Sequence, residues 1–195
     1  IGTPNNPDDN VYHVVTVSSD VTETAVLESL IISSGNADGT EENSLGGGLF
    51  NQGGSPTLVN VKFLGNTANK GGGLYNAGGS PTLVNVAFSG NTAESEGGGI
   101  YNDGGNPVLS NLTFSSNTAN SGGGIYIADS STVTLTNAIL WGNTPDQIAE
   151  DGSSTVTVNH SDVQGGYTGL DNLSADPQFV DADGIDEIFG TLDDD

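Results

Sequence analysis

The sequence has no cysteine, no methionine and no arginine, and only two lysines among 195 residues. Without cysteine there is no disulfide framework and no redox compartment to infer from one. Two cations face 25 acidic residues, a formal net charge of −23. A chain so poor in basic groups builds no patch for nucleic acid or for an anionic membrane surface. Self-repulsion on this scale destabilises a compact state unless cations or a salty medium screen it. No apolar run approaches the length of a membrane span, so membrane insertion is not expected. With methionine missing even at the start, Ile1 reads as a processed or trimmed beginning. Apolar residues make up only 33% of the chain, so any core must be thin and linear.

What the sequence has instead is a repeat. Glycine triplets begin at Gly46, Gly71, Gly97 and Gly122, spaced 25, 26 and 25 residues apart. A second landmark, a Gly-Asn or Ser-Asn corner, places Asn66, Asn91, Asn117 and Asn143 at spacings of 25, 26 and 26. Fixed self-similarity in this range marks a solenoid or array, and a propeller blade needs about 40 residues. Each copy carries several glycines and β-branched runs, which favour short strands and tight turns over helices. The pattern predicts an all-β, single-stranded parallel β-helix with coils of about 25 residues, three strands and three corners per coil. Six or seven coils, each about 4.8 Å along the axis, make a rod roughly 30 Å long.

Alternation within a copy assigns the faces. In the runs from Asn60, Asn85, Asn111 and Asn137, one position holds Lys62, Ala87, Thr113 and Ile139. A lysine there places that column toward solvent and its neighbours inward. Val61, Val86, Leu112 and Ala138 then form one internal column, and Phe63, Phe88, Phe114 and Leu140 another. In the glycine-led strand, Leu49, Leu74, Ile100 and Ile125 point inward. Asn51, Asn76 and Asn102 share their face as an internal amide ladder that ends where Ile127 replaces Asn. Phe50, Tyr75, Tyr101 and Tyr126 are expected as an external aromatic stack. In the divergent first coil, Leu30 and Ile32 take the places of the later Val and Phe.

Solenoid coils offer no internal boundary, so residues 1–195 read as one domain. Residues 1–24 are an irregular lead-in and first strand, 25–170 the coils (most regular over 46–144), and 171–195 an acidic segment. His13 is expected to be a solvated strand-face residue. An insertion in the first coil brings Asp38, Glu41 and Glu42 into one exposed loop.

The GGG[LI][YF]N and [FL]xxNT signatures resemble the right-handed parallel β-helix proteins of the pectate-lyase-like superfamily. They are similar to the GGA[IL]xxN/FxxN repeats of bacterial polymorphic outer-membrane proteins and related secreted surface proteins. SDVQGGYTG (161–169) followed by ADPQFVDADG (175–184) resembles the closing coil of secreted β-helix proteins that carry a surface anchor. The resemblance spans roughly residues 25–195. It implies a right-handed coil and a secreted or cell-surface location, and it covers lyases, hydrolases, adhesins and purely structural rods alike.

The acidic end is the one stretch that suggests a metal. Nine carboxylates fall within 171–195. Closely spaced carboxylates with a glycine to allow the wrap suit calcium, with Asp181, Asp183, Asp186, Asp193, Asp194 and Asp195 as candidate ligands. The spacing departs from an EF-hand, and a plain acidic terminus fits the same composition. His160 beside Asp162 is a weak acid–base pair. Trp141 is expected to face outward, as a sugar-stacking or interface residue or as cover for a loop. Asn111, Asn159 and Asn172 lie in glycosylation acceptor sequons.

An enzyme of the resembled superfamily abstracts a proton with arginine or lysine beside calcium, or uses clustered aspartates. Here arginine is missing, and the strand faces of 46–140 are nearly free of Asp and Glu. Lys70 is the lysine that a neighbouring coil's Glu94 or Glu96 would approach. The reading is therefore a non-catalytic extracellular structural or adhesive module, with open ends that join copies head to tail into a filament stabilised by calcium. A carbohydrate-binding surface module, or a polysaccharide-active relative, is the alternative. In that case the partner is a cell-surface or matrix glycan held by the aromatic stack or Trp141. A single row of Thr67, Thr92, Thr118 and Thr144 is a weak ice-binding signal.

Overall fold

The computed structural model describes residues 12–179. All its strand pairs are parallel and join equivalent positions of successive coils. One sheet has six rungs: Val15–Val17, Leu49–Asn51, Leu74–Ala77, Ile100–Asp103, Ile125–Ala128 and Ile148–Glu150. A ten-stranded sheet takes the next part of each coil, and a three-stranded sheet of Asn36–Ala37, Thr67–Lys70 and Thr92–Glu96 the last. Isolated bridges continue that third wall from Thr92 to Thr118 and on to Thr144. This is the parallel β-solenoid that the repeat predicts. The first coil is the long one, because residues 38–45 loop out around a short 3-10 turn, Glu41–Ser44.

The ten-stranded sheet differs from the expected single wall. Asn60, Asn85, Asn111 and Asn137 sit at φ of 55–56° and bend each run into two arms. In the coil of residues 46–70 the run is two strands, Thr57–Val59 and Lys62–Leu64, while the next two coils keep it as one, Thr82–Ser89 and Val108–Ser115. The coil of residues 71–96 so has the three strands expected. The left-handed region suits asparagine far better than a β-branched residue, because its short polar side chain hydrogen-bonds locally. Here it bonds to the next coil: the Asn85 amide donates to Asn60 Oδ1 at 3.2 Å, Asn111 to Asn85 at 3.1 Å, and Asn137 to Asn111 at 3.2 Å.

The inward columns are as the alternation assigns them. Phe63, Phe88, Phe114 and Leu140 have no exposed surface. The phenyl rings stack at 4.7 and 4.9 Å with planes within 3° of parallel. Burying each such side chain contributes about 1.5–3 kcal/mol. Leu49, Leu74, Ile100 and Ile125 line the opposite wall at 1–2% exposure. Ile32 joins the phenylalanine column, but Leu30 is 44% exposed where an inward side chain was expected. It belongs to the first rung, which has no coil beyond it among the described residues.

The glycine triplet is dictated by crowding. Gly71 sits at φ +64°, and a Cβ on Gly72 would lie 2.4 Å from the Thr92 carbonyl oxygen. A Cβ on Gly73 would lie 2.6 Å from the Gly99 carbonyl oxygen and 2.8 Å from the Phe88 ring. At this corner one coil passes directly over the next, and only hydrogen atoms fit between them.

Two further amide ladders are buried. Asn51 donates to Asn76 Oδ1 at 2.6 Å and Asn76 to Asn102 at 2.7 Å. The asparagine ladder ends where the buried Ile127 takes its place in register, and Asn102 donates onward to the Ser131 hydroxyl at 2.9 Å. In the corner ladder, Asn91 Oδ1 accepts from both the backbone and the side-chain N–H of Asn66. The Asn91 amide donates to the Phe63 carbonyl and to Asn117 Oδ1, each at 2.9 Å. Asn143 ends the row on Gln147.

Truncating Asn91 orphans buried groups in two coils, each of which costs about 1–3 kcal/mol. Asn91→Ala is therefore expected to lower unfolding stability by roughly 3 kcal/mol or more, and Asn85→Ala in the exposed ladder by about 1 kcal/mol. Chemical denaturation of both variants checks the order, and equal losses would contradict this division of labour.

Candidate functional site

Most of the reactive side chains gather outside the first sheet, where its outer face meets the last residues of the third. The aromatic row lies here in register, Phe50 to Tyr75 to Tyr101 to Tyr126. Centroids are 5.8, 5.0 and 5.2 Å apart, and the tyrosine planes lie within 12° of parallel. The rings point outward as expected but are not exposed. Phe50, Tyr75 and Tyr101 keep only 3–6% of their surface, and Tyr126 is half-buried. With Ala128 they form a second core, against which Leu45 and Ala77 pack.

This corrects the external stack. Stacking covers both faces of Tyr75 and Tyr101, so neither offers a free face to a sugar ring. At the start of the row His13 lies 5.0 Å from Phe50, and its Nδ1 is 3.2 Å from the Gly46 carbonyl oxygen. It is a half-buried cap, not a solvated residue, and desolvation holds its pKa below the ordinary value.

A polar chain runs over the tyrosines. Lys70 Nζ is 3.1 Å from Glu96 Oε2, so the coil-to-coil approach anticipated for this lysine is present. The ammonium lies 4.7 Å above the Tyr101 ring and donates to its hydroxyl at 3.4 Å. Partial burial opposes the lysine's charge, but the bonds and charges of Glu96 and Tyr101 prevail and raise its pKa. The buried Glu96 Oε2 receives no well-aligned hydrogen bond and rests on the ion pair alone. The Tyr75 hydroxyl donates to Asp103 Oδ2 at 2.5 Å. Burial, then that carboxylate, pushes the phenol far above the usual range. Burial also raises Tyr101, with Lys70 pulling the other way.

The remaining candidates are scattered. Trp141 is half-buried, in register with Ser115. His160 does not pair with Asp162; its Nε2 lies 3.6 Å from Asp171, and both side chains are well exposed. Asp162 accepts the Ala175 N–H instead. In the first-coil loop Asp38 accepts from Asn36 and Glu42 from Gln52, so the acidic residues serve separate partners. Asp151, at an exposed turn, is lowered to about 2 by the Ser153 hydroxyl, the Ser153 N–H and the Asp129 N–H. Among the described residues no three His, Asp or Glu side chains come together as a metal site. The calcium candidates Asp181, Asp183, Asp186, Asp193, Asp194 and Asp195 lie outside the described residues. Of the sequon asparagines, Asn111 and Asn172 both donate their amide hydrogens within the fold.

The sequence reading missed Asp103 and Ser131 as partners, and the period carries the signal for both. Asp103 is two residues past Tyr101 in register with Ala77, and Ser131 falls where the fourth coil loses its Asn.

The chain matches the family model of the right-handed β-helix region over residues 9–178, and it belongs to that family. No curated protein and no solved structure matches it.

His13 gives this region a pH dependence. Its folded pKa lies below the unfolded 6.5, so the unfolded chain binds the proton more readily. Stability from this residue is complete above pH 6.5 and declines as pH falls through the folded pKa. NMR titration is expected to place the His13 midpoint below 6.5, and His13→Phe to flatten the acid-side slope. A His13 midpoint at or above 6.5 contradicts its place against Phe50.

Proposed function

We propose that this chain is a non-catalytic structural or adhesive module that works outside the cell and joins head to tail through its end coils. The observation that carries the reading is where apolar surface is left uncovered. Eight large apolar side chains are exposed among the described residues; Tyr12, Val14, Leu30 and Ile31 belong to the first coil and Leu170 and Leu173 to the last, while Val26 and Val108 stand in an outward column along the side. At the far end Val158 and Val163 are already buried beneath the chain that carries Leu173, so the apolar surface on offer there is Leu170 and Leu173. Stacking one molecule on the next covers the exposed side chains of both end coils and pairs the outer strands, a heterologous contact that propagates as a filament.

The non-catalytic part is supported by the want of arginine and by the engagement of Lys70 with Glu96 and Tyr101. An extracellular location is supported by the resemblance to secreted surface proteins and by the acidity. Copies bearing −23 repel one another, so the joint needs a screening cation, and calcium on the acidic segment 171–195 supplies that role here.

A second reading, glycan binding, is favoured by a shallow cavity of about 350 Å³ lined by Asn60, Lys62, Asn85, Asn111 and Thr113. Exposed amides offer both donors and acceptors to sugar hydroxyls.

Negative-stain electron microscopy and sedimentation of the purified protein, with calcium and then with chelator, test the assembly. Filaments that shorten on chelation are expected, and Leu173→Lys or Ile31→Glu is expected to leave single rods. Single rods at high concentration in both conditions sink the filament reading and move the work to glycan arrays.

A further inference from the structure

The first arm of the ten-stranded sheet turns one side of the molecule into a flat, almost uncharged face. Its outward column runs Val26, Thr57, Thr82, Val108, Thr134 and Thr157, six rungs in unbroken register. Two residues further on, the same rungs carry Glu, Val, Val, Ser, Thr and Asn, and Glu28 at the edge is the one charge. Every side chain in both columns reaches solvent, and Val26 and Val108 are more than half exposed.

The adjoining arm is also flat. Phenylalanine rings on the adjoining arm stay within 3° of parallel from coil to coil, so successive rungs barely rotate. Ordinary sheets twist by about 20–25° per strand, and side-chain ladders are what suppress it. Hydroxyl and methyl groups therefore repeat at about 4.8 Å along the axis and about 6.6 Å across it.

The chemistry selects the occupant. Six rungs by two columns cover roughly 300 Å², well short of the ~800 Å² per partner of a stable protein interface. With no aromatic ring the face gives a sugar nothing to stack on. With no cation it gives a phosphate nothing to pair with. What it presents is a flat array in which nine of the twelve side chains are Thr or Val, with Glu28 and Asn159 at its edge rungs, a surface of methyls and hydroxyls that ordered water can match. Charged side chains impose hydration shells of their own and disrupt such a lattice. Here the one carboxylate, Glu28, stands at the edge rung, whereas beside the row Thr67, Thr92, Thr118 and Thr144 Glu94 stands mid-column, between Asn69 and Asn120.

We propose that the Val26–Thr157 face binds ice, through the water lattice that its two columns order. The role is distinct from joining at the ends, because the columns run along the side of the rod.

The test is thermal hysteresis and ice-crystal habit of the purified protein, with Thr82→Lys and Thr134→Lys on the face and Thr92→Lys on the neighbouring wall as control. The native protein is expected to separate freezing from melting and to facet crystals. Each face variant is expected to lose this with its circular dichroism unchanged, Thr92→Lys to keep it, and the milder Val108→Thr to keep or raise it. Round, unshaped crystals with the native protein overturn the proposal. So does equal loss in Thr92→Lys, or loss in a folded Val108→Thr. Dimers in sedimentation that Thr82→Lys breaks, without hysteresis, assign the face to a second copy and overturn it too.

Discussion

Everything in this molecule depends on each coil lying in register on the next. The parallel hydrogen bonds supply the pitch, but they are blind to sequence and tolerate slippage in principle. The amide ladders remove that freedom. An asparagine one residue out of register loses its partner on both neighbouring coils, and in a buried row such as Asn66, Asn91, Asn117 and Asn143 those losses are unsolvated. Apolar stacking of the phenylalanines adds energy, yet a phenyl ring accepts many neighbours. The amide, with two donors and one carbonyl, does not. Register thus comes mainly from the asparagines and cohesion from the apolar columns.

Charge is the second constraint, and it shapes where the chain can afford contacts. Lys70 and Glu96 meet as a partly covered ion pair over the tyrosine row. The pair is less a source of net stability than a way to neutralise a carboxylate that the coil places against aromatic surface. Asp103 is treated in the same manner by the Tyr75 hydroxyl. Where no such partner exists the acidic residues stand at corners and loops, as Asp38, Glu42 and Asp151 do. The outer walls are consequently uneven, with a sheltered aromatic seam, a mixed wall bearing Glu94, and the neutral threonine–valine face.

The repeat made the architecture legible because a period reports equivalence between positions without any knowledge of distance. The columns of Phe63 and of Leu49, the buried Asn51 row and the approach of Glu96 to Lys70 all follow from aligning copies. What a period does not report is cover. Alternation placed Tyr75 and Tyr101 outside the coil correctly, but their burial comes from the end of the third wall folding beside them, a matter of the corner angle. The bend within the ten-stranded sheet was hidden for a related reason. Asn60 and its equivalents sit between two strand-like runs, and their left-handed backbone is a single dihedral that leaves the apolar pattern readable as one strand. Leu30 failed differently, since the first rung has a neighbour on one side only and its inward position is not enclosed.

A coil built this way sorts its positions into two kinds. Inward and corner residues must match their neighbours one period away, so they carry the fold and little else. Outward columns are free of that demand, because nothing in the core registers their identity. It follows that function in such a rod is read from outward columns that keep a common character when the fold does not require it. The aromatic row fails this criterion, because its uniformity is explained by packing against Leu45, Ala77 and Ala128. The column from Val26 to Thr157 meets it only in its want of charge: strand propensity accounts for six β-branched residues there, whereas solubility alone would favour charge. That want of charge is the feature which the proposed contact with ordered water explains and the coil does not.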